Sequence, residues 1–294
     1  MLKRDHVWLL WEWSEDAYLV EDFLRQADHL DLRVKVFDPD GFRRLSMNTV
    51  AQDYPVILWD RAGDVHREAQ YISDWAEAAG SRVINPVRGT LLAMDKAHLH
   101  RLLLQNHLPV PQTRVLTDSS NGEDLHWGCG KFLVLKPGIS GGGEGVRIQH
   151  WSEDSLREAM SARPGEPWLL QEFIEPAMVT GRRAWFRVYH LFGEIRVCWW
   201  DNTTHIYDLM PCEEVGLMGF HDLRTLGLHL ANRFPMQFFS TEIVYCSDGA
   251  PLLIDYINDP CDLRSRARIP NGVPEELLNW VFQRIFEVAR AVGE

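Results

Sequence analysis

Five glycines and one lysine stand between two short apolar runs in FLVLKPGISGGGEGVRIQH, residues 132–150. The glycines are Gly138, Gly141, Gly142, Gly143 and Gly145. A loop with so few side chains can fold its backbone N–H groups around an anion. Lys136 closes the first run, so its ammonium can reach an oxygen held near that loop. FLVLK is apolar and β-branched, and GVRIQHW alternates apolar with polar residues, which predicts strand, glycine loop, strand. Dinucleotide fingerprints and Walker A loops lie between a strand and a helix. Here a strand follows, and no Gly-Lys-Ser/Thr occurs. Strand–loop–strand is the arrangement in which a glycine loop covers nucleotide phosphates. The plain alternative is a mobile hairpin tip, against which Lys136 and the downstream segments weigh.

Other chemistry is poorly represented. The five cysteines, Cys129, Cys198, Cys212, Cys246 and Cys261, form no CxxC pair, as expected for buried thiols in a reducing compartment. The twelve histidines form no HExxH pattern. The formal net charge of −12 argues against a non-specific nucleic-acid or anionic-membrane binder. The short apolar run at the start is broken at Glu12 and has no small-residue cleavage site after it, so it reads as a strand. No apolar run approaches the ~18 residues that span a bilayer, and a cytoplasmic protein is expected.

The elements that must position the glycine loop follow from patterning. Across residues 1 to about 86, strands HVWLLW, LRVKVFDP, PVILWD and SRVINP alternate with helical stretches. Ser14 is a candidate cap of the first helix and Gly80 a stop for the second. Such alternation predicts a parallel, doubly wound sheet, whose ligands bind at the carboxyl ends of strands. Asp60, Arg61 and Asn85 stand at such ends, as a substrate-facing edge or as ordinary loop polarity. Helical spacing around Leu99, Leu102 and Leu103 is ended by Pro109 and Pro111, with Lys96 near the beginning of that helix. Ser152 caps the helix SEDSLREAM, PWLLQEFI is a strand entering a connector, and GRRAWFRVYHLFGEIRVCWW is two strands around Phe192-Gly193. Residues 201–216 are polar and poorly patterned. Then come the helix FHDLRTLGLHLANRF, the hairpin STEIVYCSDGAPLLIDYINDP turning at Ser247-Asp248-Gly249, and a terminal helix with Pro274 in its first turn.

The order DKAHLHRLLLQNHLPVPQT, VLKP with GGGEGV, LLQEFI, GRRAWFRV and TEI…LLIDYIND resembles the ATP-grasp superfamily over nearly the whole chain, with the layout of RimK-like carboxylate–amine ligases. The resemblance implies α/β and α+β architecture: a pre-ATP parallel α/β domain (1–88), a small ATP-grasp subdomain with the glycine loop (89–172) and a large C-terminal subdomain with the metal site (173–294). It implies that Lys96 and Lys136 contact ATP phosphates, whose charge needs compensation in a dry cleft. It further implies that Gln171, Glu172, Phe173 and Ile174 read the adenine, with Phe173 or Ile174 as an apolar wall. Without it, LLQEFIEP is a core strand leaving its domain.

By the same resemblance Arg187 holds the γ-phosphate or acyl phosphate, and Glu242, Asp255 and Asn258 hold Mg²⁺, or Mn²⁺ in its place. Mg²⁺ takes hard oxygen ligands and shares them with phosphates. Asp255 follows Leu252, Leu253 and Ile254, so it leaves a buried strand where a carboxylate needs a partner. Two departures stand out. Two residues separate Asp255 from Asn258 where the family has one, so either a bulge restores the geometry or Asp259 replaces a ligand. The region AMVTGRRAWF has no ribose-binding acid, which leaves Glu172 or Glu175.

The expected activity is ATP-dependent phosphorylation of a carboxylate and attack of an amine on the acyl phosphate. Amino acids or peptides are the expected substrates, with ADP and phosphate released. The alternatives are an ATP-grasp kinase acting on a hydroxyl and a nucleotide-binding module without turnover. Arg264, Arg266 and Arg268 suit either a phosphorylated substrate or a carboxylate.

Overall fold

The computed structural model describes residues 5–11, 17–38, 40–41, 44, 54–61, 67–120, 122–140, 143–211, 214, 216 and 220–293. The cap expected at Ser14, Cys212, Gly141 and Gly142 lie outside them. The chain gathers into two compact units. One comprises Met1–Thr90, Arg187–Ser240 and Asp259–Glu294, and the other Leu91–Phe186 and Thr241–Asn258.

The first unit contains a parallel sheet in the order β2-β1-β3-β4, built from β1 (Val7–Trp11), β2 (Val34–Phe37), β3 (Ile57–Arg61) and β4 (Arg82–Ile84). Side chains alternate across a strand, and both faces here are covered, so β1 and β3 are nearly continuously apolar. Val7, Leu9, Ile57 and Trp59 pack with Leu19 and Phe23 of α1 (Ala17–His29) and Phe282 and Phe286 of α8 (Glu275–Gly293). Trp8, Leu10 and Leu58 pack on the other face against Ile72 and Ala76 of α2 (Arg67–Ala78). This is the expected doubly wound arrangement. Gly80 ends α2 at φ +89°, a conformation that favours glycine.

Two short helices follow, α3 (Val87–Met94) and α4 (Lys96–Gln105). Asp95 separates them and caps α4, accepting from the His98 amide at 2.8 Å. Lys96 is therefore the first residue of α4.

The second unit contains an antiparallel sheet in the order β5-β8-β6-β7, from β5 (Thr113–Leu116), β6 (Phe132–Pro137), β7 (Arg147–His150) and β8 (Trp168–Glu172). Leu133, Leu135, Trp168 and Leu170 face α5 (Gly122–His126) and α6 (Glu153–Ser161) and form a core with Leu125, Leu156 and Met160. Ser152 caps α6 through a reciprocal capping box with Ser155.

The short hairpin β9 (Met178–Val179) and β10 (Arg182–Arg183) comes next, turning through Thr180 and Gly181 at φ +49° and +80°. The remaining strands, β11 (Trp185–Leu191), β12 (Glu194–Trp200), β13 (Tyr207–Met210), β14 (Phe238–Tyr245) and β15 (Pro251–Asn258), form a sheet ordered β13-β12-β11-β14-β15. α7 (His221–Arg233) precedes β14. Neither β13, in the polar stretch 201–216, nor the β9–β10 hairpin is among the elements expected above.

Candidate active site

The sheet of the second unit has one face in its core, and period-2 alternation sends the remaining residues to the other. Phe132, Val134 and Lys136 of β6 share that face with His150 and Ile148 of β7, the cross-strand partners of Phe132 and Val134. Gln171 and Leu169 of β8, and Thr113 and Val115 of β5, lie on it as well. Phe132 is 44% exposed and Ile148 50% exposed, so the β6–β7 part of this face is open and apolar. Phe173, just beyond β8, meets Phe132 edge-on at a centroid separation of 5.1 Å.

The loop between β6 and β7 is tied at its base. Gly138 donates to Pro167 O at 2.7 Å, and a Cβ on Gly138 would stand 2.5 Å from that oxygen. Gly145, at φ +75°, would drive a Cβ to 2.8 Å from Pro137 Cγ. Arg163 holds the loop from outside through Glu144, at 2.7 Å, and Ile139 O, at 3.3 Å. Glycine is thus required at both ends of the loop by close approach and backbone conformation.

Charges gather beside this loop. The Lys96 amide donates to Gly138 O at 2.7 Å, while the Lys96 ammonium lies 3.3 Å from Asp255 Oδ1. Lys136 Nζ donates to Ile254 O at 3.0 Å. Burial presses the Lys136 pKa below its usual value; the charge of Lys96 adds to that, and Asp255 and Glu242 oppose it. Glu242, buried on β14, accepts from Trp185 Nε1 at 3.1 Å. Two lysines and two carboxylates expected from the sequence therefore come together in one unit, with the described part of the glycine loop.

A second layer lies behind them. Tyr256 OH is 2.7 Å from His100 Nδ1 and accepts from Gln171 Nε2 at 3.1 Å; Gln171 also donates to Thr113 Oγ1 at 3.2 Å. Burial lowers the His100 pKa to about 4, helped by the charges of Arg101 and Lys136, so the ring is neutral near pH 7. Gln171 is thus a buried structural side chain, and Glu172 is exposed, its amide donating to Gln112 O at 2.8 Å.

Among the described residues no group of three or more His, Cys, Asp or Glu side chains could hold a metal ion. A divalent cation held here would combine two carboxylates with the Asn258 amide and oxygens from a ligand. That donor set suits Mg²⁺, which commonly binds through one or two carboxylates plus phosphates. The burial of β15 breaks strict alternation, since Tyr256 and Ile257 are both buried. Asp259 is committed elsewhere: Thr90 Oγ1 donates to its Oδ2 at 2.6 Å and Asn85 Nδ2 to its Oδ1 at 2.9 Å, within the first unit.

Asn85 and Arg61, expected as a substrate-facing edge or as ordinary loop polarity, are instead buried. Asn85 also accepts from the Gln237 and Phe238 amides, at 2.8 and 2.9 Å. Arg61, equally buried, donates twice to Cys261 O at 3.2 Å. Both side chains fasten segments more than 150 residues away.

Arg187 belongs to the first unit, where its guanidinium stacks 4.9 Å from the Trp200 ring and its Nη1 is 3.4 Å from Ser240 Oγ. The three loop arginines have different surroundings. Arg264 forks onto Asp262 at 2.9 and 3.0 Å, Arg266 lies 3.4 Å from Asp208, and Arg268 lies 5.1 Å over the Tyr18 ring. Arg268, Tyr18, Glu21, Arg25, Ser265 and Glu275 line an open hollow of about 450 Å³, to which Arg268 is the one contributor expected from the sequence.

No family model matches the sequence, and no curated protein does. Solved structures do match over nearly the whole chain. The ATP-grasp ligase PsnB, complexed with a precursor peptide and AMPPNP, is 14% identical with a TM-score of 0.66, covering 97% of this chain and 99% of that one. A RimK-domain ATP-grasp protein from Sphaerobacter thermophilus is 19% identical with a TM-score of 0.61, covering 97% and 98%. D-alanine–D-alanine ligase from Bacillus anthracis, complexed with ATP, is 12% identical with a TM-score of 0.66, covering 98% and 96%. The chain has the ATP-grasp fold, as the order of its motifs implied. Among the described residues no helix is long and apolar enough to cross a membrane.

Proposed function

We propose that this protein is an ATP-dependent carboxylate–amine ligase that forms an acyl phosphate and releases ADP and phosphate. One observation carries the reading. Lys136 sits on the sheet face that opens as Phe132 and Ile148, beside Lys96, Asp255 and Glu242. A purine fits an open apolar face, and a triphosphate needs the two ammonium groups.

In this reading residues 1–88 are the pre-ATP domain, 89–172 the small subdomain and 173–294 the large one. Lys96 and Lys136 take phosphate oxygens, and Gly141, Gly142, Gly143 and Gly145 cover them. The backbone of Gln171, Glu172, Phe173 and Ile174 reads the adenine, with Phe173 as a wall. Glu242, Asp255 and Asn258 hold Mg²⁺, which would neutralise phosphate charge during transfer. Asn258 takes the third position because both Asp259 oxygens are hydrogen-bonded within the other unit. Arg187 stabilises charge on the transferred phosphoryl group.

The substrates are an amino acid or a peptide. The hollow lined by Arg268, Arg25, Glu21 and Glu275 offers partners of both signs, as a zwitterion requires. Solved structures of this fold include ligases complexed with a precursor peptide and with ATP. The test is product analysis over a panel of amino acids and dipeptides with MgATP. ADP and phosphate released with an amide product are expected. AMP and pyrophosphate, or a phosphate ester of an alcohol, overturn the ligase reading.

A further inference from the structure

We infer that the Tyr256 hydroxyl is the positioning group of the phosphate site, joining the lysine helix α4, the carboxylate strand β15 and the end of β8 at one buried point. The inference rests on the nucleotide site proposed above.

Tyr256 directly follows Asp255 on β15. Asp255 meets Lys96 while Tyr256 meets His100 and Gln171. His100 is one helical turn beyond Lys96, on the same face of α4. The strand and the helix are thus joined twice, by an ion pair that a nucleotide would perturb and by a neutral hydrogen bond behind it. Gln171 donates to the hydroxyl, and His100 Nδ1 shares a hydrogen bond of 2.7 Å with it. His100 Nε2 is buried without a hydrogen-bond partner among the described residues, so Tyr256 alone orients this ring by hydrogen bonding.

The two partners are not equivalent. Gln171 keeps Thr113 when the hydroxyl is removed, whereas His100 keeps its stack on the ring at 5.7 Å but, among the described residues, no hydrogen bond to fix its orientation. Loss of the hydroxyl should therefore loosen Lys96 and Asp255 while the β8 end stays anchored. The selective consequence is weaker handling of Mg²⁺ and phosphate with adenosine recognition retained.

The experiment is calorimetric titration of the full chain and of Tyr256→Phe with MgADP and with adenosine. Thermal unfolding and circular dichroism monitor the fold. In the folded variant, MgADP binding should weaken about tenfold or more and the Mg²⁺ needed for half-saturation should rise. Adenosine affinity should stay within about twofold. Equal loss for both ligands marks general loosening and overturns the inference, as does MgADP affinity matching the wild type. Should Tyr256→Phe not fold, His100→Leu, which removes the Nδ1 partner of the hydroxyl, decides on the same criteria. A wild-type chain that binds neither ligand sinks the nucleotide-site reading itself. Wild-type binding with no selective loss in the variant sinks this inference alone.

Discussion

Asp255 Oδ1 holds Lys96 Nζ at 3.3 Å across 159 residues of chain. The backbone amide of the same lysine is tied to Gly138 O at 2.7 Å. One residue thus joins the base of the glycine loop to the carboxylate strand. A lysine at the first position of a helix opposes the helix dipole, so its placement costs helix stability.

Lys136→Ala should weaken ATP binding at least tenfold with the fold retained. A charge-assisted hydrogen bond contributes about 1.5–3 kcal/mol, and tenfold corresponds to about 1.4 kcal/mol. Calorimetry measures this directly, and unchanged affinity would remove Lys136 from the site.

Asp255→Asn and Glu242→Gln should abolish Mg²⁺-dependent turnover, whereas Asp259→Asn should leave the Mg²⁺ requirement unchanged. Asp259 acts on Thr90 and Asn85, so its loss should register in thermal stability instead. Turnover measured against Mg²⁺ concentration separates the three. A metal requirement that shifts in Asp259→Asn and not in the other two would reverse the assignment of Asn258 and Asp259.

Arg187→Lys should lower kcat by about 100-fold while leaving MgATP affinity within a few-fold, because a point charge replaces a planar fork during phosphoryl transfer. Steady-state kinetics with direct binding checks both. A change in affinity alone would assign Arg187 to ground-state nucleotide binding.

Stability should fall as pH drops from about 6.5 towards 4. Burial holds the pKa of His190 and that of His100 at about 4, below the ordinary histidine value. A neutral ring in the fold and a titrating ring in the unfolded chain give stability that is complete above pH 6.5. It is lost progressively down to about 4 and then levels off. The His190 contribution is on the order of 3 kcal/mol. Urea denaturation at pH 7, 5.5 and 4.5 tests this, and a slope unaltered in His190→Gln would exclude His190 as a source.

Much of the site was legible because it depends on local order. FLVLKP and VRIQH encode adjacent antiparallel strands through period 2 and the glycines between them, and Cys246–Ala250 closes a hairpin around Gly249 at φ +81°. What escaped depends on distant partners. Arg61 and Asn85 looked like exposed strand-end polarity, yet they bind the backbone of Cys261 and Phe238. His100, Gln171 and Tyr256 carry no motif, and 156 residues separate the first from the last. Local signals did exist for two missed features: Asp95 before Lys96 is a capping residue, and Thr180-Gly181 is a tight-turn pair.

The reaction class is tested most directly by intercepting the activated acid. In the proposed reaction the activated species is the substrate's own acyl phosphate. With MgATP, a carboxylic acid substrate from the amino-acid and dipeptide panel and hydroxylamine in place of the amine, the enzyme should form a hydroxamate with one ADP released per hydroxamate. ADP release with a stable phosphate ester and no hydroxamate, or AMP as the nucleotide product, would contradict the account.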